Sequence, residues 1–336
     1  IKRFENFNSS LKFIKKRVTE SLGNLFNMHW PYKQLTTSRN VKILPYHSEL
    51  KKAKACFGSV AGYERPMWYA INKEKPNYKY SYGFQNWFYS AKKETISTRK
   101  NLGLYELTPF AKFEIKGNFA HRELQRLCAN NIKNIPGKTT YTQMLNVSGG
   151  IECDITVACL KDNYFRIISP AMCRVRDKTH ILRNIKNDIN FSDVTENYAC
   201  LGIFGPQSRI FMTEFLGDHF SNELFPFATG KNFFLNDTKL WLQRLSFIGE
   251  LGWEIYIPIK NARKIFNQIT KLGKKYSLCI AGMHALDILR LEKKFLHWGH
   301  DITNENNPFE AGLKFAVNFN KKENFIGRKF LESIIE

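Results

Sequence analysis

No run of apolar residues in this 336-residue chain reaches the ~18 that a membrane-crossing helix needs, so no transmembrane helix is expected. The chain starts at Ile1 instead of Met and shows no signal-peptide hydrophobic region, which reads as a piece of something longer. No G-x-G-x-x-G or Walker fingerprint occurs, so no nucleotide-phosphate loop is expected within it. No C-x-x-C pair occurs either. The cysteines (Cys56, Cys128, Cys153, Cys159, Cys173, Cys200 and Cys279) are odd in number and sit mostly in apolar patterns. They read as reduced core thiols of a cytoplasmic protein. His297, His300 and Asp301 lack the flanking ligands of a zinc site, so no metal is expected. Acidic residues are the scarce charge, with 30 Asp and Glu against 51 Lys and Arg, a net of +21. The basic residues are spread along the whole chain, which reads as compositional bias and not as a nucleic-acid footprint. Neither a nucleic acid nor a membrane is expected as a partner.

What is present supports a large core: 43% of residues are hydrophobic and 28 are Phe. The length suits two or three domains. Short strand and helix patterns alternate with hairpin signals, which indicates an α+β fold. Residues 11–26 carry Leu11, Ile14, Val18, Leu22 and Leu25 at helical spacing and read as a basic amphipathic helix docked on its own domain. Residues 32–52 are mostly polar and read as a linker, and residues 56–69 as an aromatic, Pro-broken loop joining two domains. Strands are expected at 110–116, 164–169, 199–204, 238–247 and 253–257. Helices are expected at 120–131, 177–188, 262–272 (capped by Asn261 and ended by Gly273) and 282–294, with another starting after Gly205-Pro206.

The chain is organised around residues 137–159. Thr139 to Leu145 reads as one strand, Asn146, Ser148, Gly149 and Gly150 supply a turn, and Ile151 to Cys159 reads as the return strand. Period-two alternation turns Ile151, Cys153, Ile155, Val157 and Cys159 inward. It sets Glu152, Asp154 and Thr156 on the other face, toward a cavity or water, with Tyr141 and Gln143 on the partner strand.

The sequence Tyr141-Thr142-Gln143-Met144-Leu145-Asn146, then Gly149-Gly150-Ile151 and Asp154, resembles the glycine-cleavage T-protein (aminomethyltransferase) family. The likeness continues through Leu201-Gly202-Ile203-Phe204-Gly205-Pro206, Gly249-Glu250-Leu251-Gly252-Trp253-Glu254, Leu289-Arg290-Leu291-Glu292, Trp298-Gly299-His300-Asp301-Ile302 and Phe309-Glu310-Ala311-Gly312-Leu313. Gly62-Tyr63-Glu64-Arg65-Pro66-Met67-Trp68-Tyr69 is similar to a signature of dimethylglycine and sarcosine dehydrogenases. Leu22 to Pro31 looks like the end of their flavin-dependent half. Trp253, Glu152 and Trp298-Gly299-His300 favour that dehydrogenase branch.

The resemblance implies a T-protein-like, multi-lobed folate-binding fold, with lobes around a central folate channel. Residues 1–50 would be the tail of a flavin-dependent half plus linker, 51–310 the folate domain and 311–336 the start of a truncated barrel domain. It implies tetrahydrofolate as ligand, with FAD only in a missing N-terminal half. The implied partners are a flavoprotein half or subunit and an imine derived from a small N-methyl amine. The product would be 5,10-methylenetetrahydrofolate, and the rival reading is a non-catalytic folate-binding or regulatory protein. It gives Asp154 the proton-steering role at the reacting nitrogens and makes Tyr141 a neighbour of the folate. Cys153 stands where many T-proteins have a second Asp. A pterin, a flat donor–acceptor heterocycle, suits a carboxylate that accepts two N–H bonds. Glu254 is the candidate, with Tyr256 on its face, and Glu250 is the alternative. Arg290 contacts either folate or a helix partner, Glu292 or Asp287.

Overall fold

The structure is a computed structural model and describes residues 10–72 and 74–335. Helices α1 (Leu11–Gly23) and α2 (His47–Lys52) precede a hairpin of β1 (Ala55–Val60) and β2 (Tyr63–Tyr69). Next come α3 (Phe88–Lys100), β3 (Gly103–Glu106), β4 (Ala111–Lys116), α4 (Ala120–Leu127), β5 (Thr139–Leu145), β6 (Ile151–Lys161) and β7 (Tyr164–Ser169). They are followed by α5 (Arg174–Asn184), β8 (Asn190–Asp193), β9 (Tyr198–Phe204), α6 (Ser208–Leu216), β10 (Gly230–Leu235), β11 (Thr238–Gln243) and β12 (Gly252–Pro258). The last elements are α7 (Ala262–Gly273), β13 (Cys279–Ala281), α8 (Met283–Leu291) and α9 (Arg328–Ser333).

Two large sheets follow from the strand patterns. The five-stranded sheet runs β5-β6-β7-β4-β8 and is antiparallel throughout. The six-stranded sheet runs β10-β11-β12-β9-β3-β13, antiparallel except where β13 joins β3. Each sheet buries one apolar face under its own helices. Phe113, Cys153, Ile155, Val157, Phe165 and Ile167 pack on Leu124 and Leu127 of α4 and Ile181 of α5. Leu201, Ile203, Trp253, Ile255 and Ile257 pack with Phe211 of α6 and Ile265, Phe266 and Ile269 of α7. Burial of each such side chain is worth about 1.5–3 kcal/mol.

The opposite faces look at each other. Ala158 and Ile168 of the five-stranded sheet share a layer with Tyr105, Cys200, Trp241 and Tyr256 of the six-stranded one, closed by Leu286 and Leu289 of α8. The two sheets are also stitched at an edge, where Gly230 N donates to Gly137 O at 2.7 Å and Thr139 N to Ala228 O at 3.0 Å. Rows that read as polar faces from the sequence therefore line an interior.

Several expectations change. Residues 32–52 are not a free linker, since Leu44, Tyr46 and Leu50 are buried in the core of the six-stranded sheet. Residues 55–69 form the β1–β2 hairpin instead of a loop, with a register shift at Cys56/Phe57 that accommodates Pro66. The Glu64 carboxylate takes Asn40 N at 2.7 Å and Arg39 Nε at 2.8 Å. Arg65 pairs with buried Glu106 at 3.6 Å. Helix α1 forms, but none of its residues is buried, and Leu11, Val18 and Leu22 are exposed, as are Leu25 and Phe26 just beyond it. It attaches through Glu20, whose carboxylate accepts Thr36 N at 2.6 Å and Thr37 N at 2.9 Å. Asn261 does not cap α7 through its side chain, which donates to Thr238 Oγ1 at 2.7 Å. The short strands β3, β8, β10 and β13 are additional to the expected set. Among the described residues no helix is long and apolar enough to cross a membrane.

Candidate functional site

The turn before β6 sets the position of Asp154. Asn146 Oδ1 accepts Ser148 N at 3.0 Å and Gly150 N at 2.9 Å, so one side chain organises the reversal. Gly150 is required by close approach: a Cβ there would meet Asn304 O at 2.0 Å. The segment holding Asn304 packs on the hairpin, through Ile302, Leu313, Phe325 and Leu331 against Leu145 and Ile151. Trp298 Nε1 donates to Ile151 O at 2.9 Å. The start of β6 is thereby fixed on both sides.

Gln143 stands opposite Asp154 in the β5–β6 register and donates Nε2–H to Oδ1 at 3.0 Å. The Tyr141 hydroxyl, one step along the same face, also bonds this carboxylate. Protein surrounds Asp154 on most sides, although the residue keeps some access to solvent. Burial pushes its carboxyl up to about 6, against the opposing pull of Tyr141 and Gln143. Tyr141 is itself pushed up, first by burial and then by the Asp154 charge, and its ring stacks on Phe315 at 6.0 Å. The acceptor of the Gln143 amide, Oε1, is buried and has no partner. A carboxyl poised near neutrality beside an unfilled acceptor suits a ligand that exchanges protons.

Glu254 occupies the facing sheet. Tyr256 OH donates to Glu254 Oε2 at 2.7 Å, and Gln243 Nε2 lies 3.4 Å from the same oxygen and 3.3 Å from the Tyr256 hydroxyl. Trp241 Nε1 fixes Gln243 by donating to its Oε1 at 3.1 Å. Burial raises the Glu254 carboxyl, and Tyr256, Gln243 and Lys112 oppose the rise. Lys112 of β4 is fully buried. Its Nζ donates to Thr108 O at 2.8 Å and Phe110 O at 2.7 Å, and burial lowers its ammonium to about 8. Four residues of β6, roughly 13 Å, separate Asp154 from Ala158. The register partner of Ala158 is Arg166, whose guanidinium lies over the Tyr256 ring at 5.8 Å.

Asp154, Tyr141, Glu254 and Tyr256 are thus brought to the two facing surfaces. Glu250 and Arg290 are not. Glu250 precedes β12 and pairs with Arg99 Nη1 at 2.6 Å. Arg290 pairs with Asp287 at 2.7 Å, donates to Phe295 O at 3.1 Å and bonds Asp301, holding the segment after α8. Glu152, the face-mate of Asp154, is engaged by Arg176, which lies over Trp298 at 3.9 Å. Gln243, Lys112 and Arg166 are additions to the expected site, and the signal available for them was a polar residue within each strand pattern. Cys153 is buried in the core below the sheet, next to the Asp177 carboxyl, which also takes Ser169 Oγ at 2.5 Å. Burial pushes Asp177 up to about 7.

Residues 46–321 match the family model described as the GCVT N-terminal domain, and residues 1–43 match the FAD dependent oxidoreductase central domain. The chain is 35% identical over 332 residues to 4-methylaminobutanoate oxidase (formaldehyde-forming) of Paenarthrobacter nicotinovorans, covering 98% of this chain and 40% of that protein. It is 29% identical over 361 residues to mitochondrial sarcosine dehydrogenase of Homo sapiens, covering 96% and 39%. The chain therefore spans about 40% of the length of the first of these relatives. Glycine cleavage system aminomethyltransferase T from Bartonella henselae has the same fold. Its TM-score is 0.74 at 26% identity, over 88% of this chain and 75% of that structure.

Proposed function

Because this chain belongs to the family of the GCVT N-terminal domain, we propose that it binds tetrahydrofolate between its two facing sheets and transfers a one-carbon unit to it. The carried carbon is at the formaldehyde level and the product is 5,10-methylenetetrahydrofolate. The observation that carries this reading is Asp154: a carboxyl lifted to about 6, held by Gln143 and Tyr141, with the Gln143 acceptor unfilled. The ligand's chemistry fits the other end as well. A pterin offers adjacent N–H donors, and Glu254 is a part-buried carboxylate fixed by Tyr256 and Gln243.

The reaction needs proton management. N5 of the folate attacks the carbon of a CH₂=N iminium, forming a C–N bond while the C=N electrons move to nitrogen. The amine leaves as N10 closes the bridge, so two N–H protons leave the folate. One goes to the departing amine and the other to a base. Asp154 takes or relays that second proton, which a carboxylate near its pKa at working pH does well. Tyr141 and Gln143 orient it. Glu254 and Tyr256 bind and do not react.

Residues 51–310 form the folate part in this reading, and residues 1–50 belong with a flavin-dependent half that would hold FAD and oxidise an N-methyl amine. The exposed Leu11, Val18, Leu22 and Phe26 and the match of residues 1–43 support this division. The seven free thiols fit a reducing compartment, of which the cytoplasm is one. Calorimetry with tetrahydrofolate tests the reading: saturable binding to this chain is expected, and no heat or displacement at millimolar ligand would overturn it.

A further inference from the structure

Arg166 has one donor to spare, in a place where donors are rarely left over. It stands on β7 and its side chain is only 4% exposed. Nε and Nη2 both go to Glu114 Oε1, at 3.0 Å and 2.6 Å. The guanidinium plane packs over Tyr198 at 4.3 Å and over Tyr256 at 5.8 Å. Nη1 is sealed from water and has no partner. A buried, unpaired N–H on a cation is costly, so its retention points to a state in which an acceptor fills it.

The Tyr256 ring under Arg166 carries the hydroxyl that donates to Glu254. A guanidinium donor and a carboxylate acceptor thus flank one phenol. The amide edge of a reduced pterin presents, in order, an acceptor (the 4-oxo oxygen), a donor (N3–H) and a donor (the 2-amino group). Its complement is donor, acceptor, acceptor. Glu254 supplies two acceptors and cannot supply the donor. Lys112 is close in charge, but two of its three N–H groups already go to Thr108 and Phe110.

We propose that Arg166 donates to the 4-oxo oxygen of the bound pterin and makes this site selective for 4-oxo over 4-amino pteridines. The proposal rests on the folate reading above and deepens it. A 4-amino group turns the acceptor into a donor and sets it against the guanidinium. Specificity follows because a mismatched buried donor pair has no water to relieve it.

The test is competition calorimetry on the full chain with tetrahydrofolate and its 4-amino-4-deoxy counterpart. The wild-type protein should prefer tetrahydrofolate by roughly 10- to 100-fold, the range of one charge-assisted hydrogen bond. Arg166→Met should weaken tetrahydrofolate by that factor, bind the 4-amino ligand at least as tightly as the wild type does, and so erase the preference. Glu114→Gln, which leaves the guanidinium in place, should keep it. Equal binding of both ligands by the wild type, or an undiminished preference in Arg166→Met, overturns the role of Arg166 while folate binding stands. Failure of both ligands to bind the wild type removes the folate reading and this proposal together. A measurement without any variant covers a substitution that does not fold: the infrared band of ¹³C-labelled C4=O should move to lower wavenumber on binding, and an unmoved band overturns the contact.

Discussion

Asp154 and Glu254 sit on different sheets with the same company. Each has a glutamine opposite it in strand register, Gln143 and Gln243, and each has a tyrosine hydroxyl on its carboxylate, Tyr141 and Tyr256. The surroundings then diverge. Gln243 is saturated, because Trp241 Nε1 fills its acceptor, whereas Gln143 Oε1 is unfilled. Glu254 has the buried ammonium of Lys112 near it, while burial, opposed by Tyr141 and Gln143, sets the shift of Asp154. The same trio thus has a buried cation and a saturated amide beside it on one sheet and neither on the other. What differs is the next layer, a cation and a saturated amide. This difference supports the proposed division, with recognition at Glu254 and proton transfer at Asp154.

The largest effect should come from Asp154→Asn, which keeps shape and removes the titrating group. One-carbon transfer is expected to slow by a factor on the order of 10²–10⁴, with tetrahydrofolate affinity within a few-fold of the parent. Formaldehyde serves as donor in the assay, with its uncatalysed condensation subtracted. Equal catalysed rates would remove the proton-transfer role, and a large loss of affinity would make Asp154 a binding residue like Glu254. The pH–rate profile sharpens the point. Acting as a base, Asp154 should give a rate that rises with pH through about 6, the value to which burial lifts it, and the variant should lose that limb.

Glu254→Gln should do the reverse. It swaps one acceptor for a donor against the pterin edge, at a cost of about 1.5–3 kcal/mol for a charged hydrogen bond, or roughly 10- to 200-fold in affinity. Turnover at saturating folate should hardly change. A drop in saturated turnover with affinity intact would erase the distinction between the two carboxylates.

Stability offers a smaller test. Burial raises the folded-state pKa of Asp154 from 3.8 to about 6. Between those values the native state binds more protons than the unfolded chain, so stability falls as pH rises and stays lower above 6. Two units correspond to at most about 3 kcal/mol, and partial solvent access reduces that to about 1–2 kcal/mol. Asp154→Asn should therefore be the more stable protein at pH 8 by about that amount, with the gap closing toward pH 4. Urea unfolding at the two pH values reads it directly. A variant less stable at pH 8 would mean that the carboxylate supports the fold.

Much of this was legible in the strand periodicities. The hairpin of β5 and β6 lies where alternation set it, with Cys153, Ile155 and Val157 inward and Asp154 on the other face. The α+β class followed from the same patterns. What periodicity cannot tell is what covers a polar face. Lys112 and Arg166 alternate with apolar neighbours, a pattern that fits a solvated face equally well, yet both are buried. Sheet-on-sheet packing joins residues far apart in sequence, such as Arg166 and Tyr256, and no local pattern encodes it. Residues 32–52 and 56–69 failed differently. They read as a linker and a joining loop, but Glu64 and Arg65 are neutralised within the protein by Arg39 and Glu106.

Glu250 and Glu254 could not be separated by sequence, since both belong to one Gly-Glu-Leu-Gly-Trp-Glu run, and their structures predict opposite behaviour. Gly252 stands between them, where a Cβ would meet Ile203 O at 2.3 Å; this tight contact pins β12 to β9 and directs Glu254 to the sheet interior. Glu250 lies before the strand and pairs with Arg99, with both side chains about one-fifth exposed. Arg99 has other anchors in Ile248 O at 2.8 Å, Leu289 O at 3.0 Å and Glu292 at 2.8 Å. Loss of Glu250 leaves the guanidinium satisfied, so Glu250→Gln should cost only about 0.5–1 kcal/mol of stability, as for a partly exposed pair. Tetrahydrofolate affinity and transfer rate should stay within two- to three-fold of the parent, about 0.5 kcal/mol. Calorimetry and urea unfolding on the same preparation read both numbers. A ten-fold loss of affinity in Glu250→Gln, with Glu254→Gln unaffected, would move the pterin carboxylate to the turn before β12 and break the pairing of trios across the two sheets.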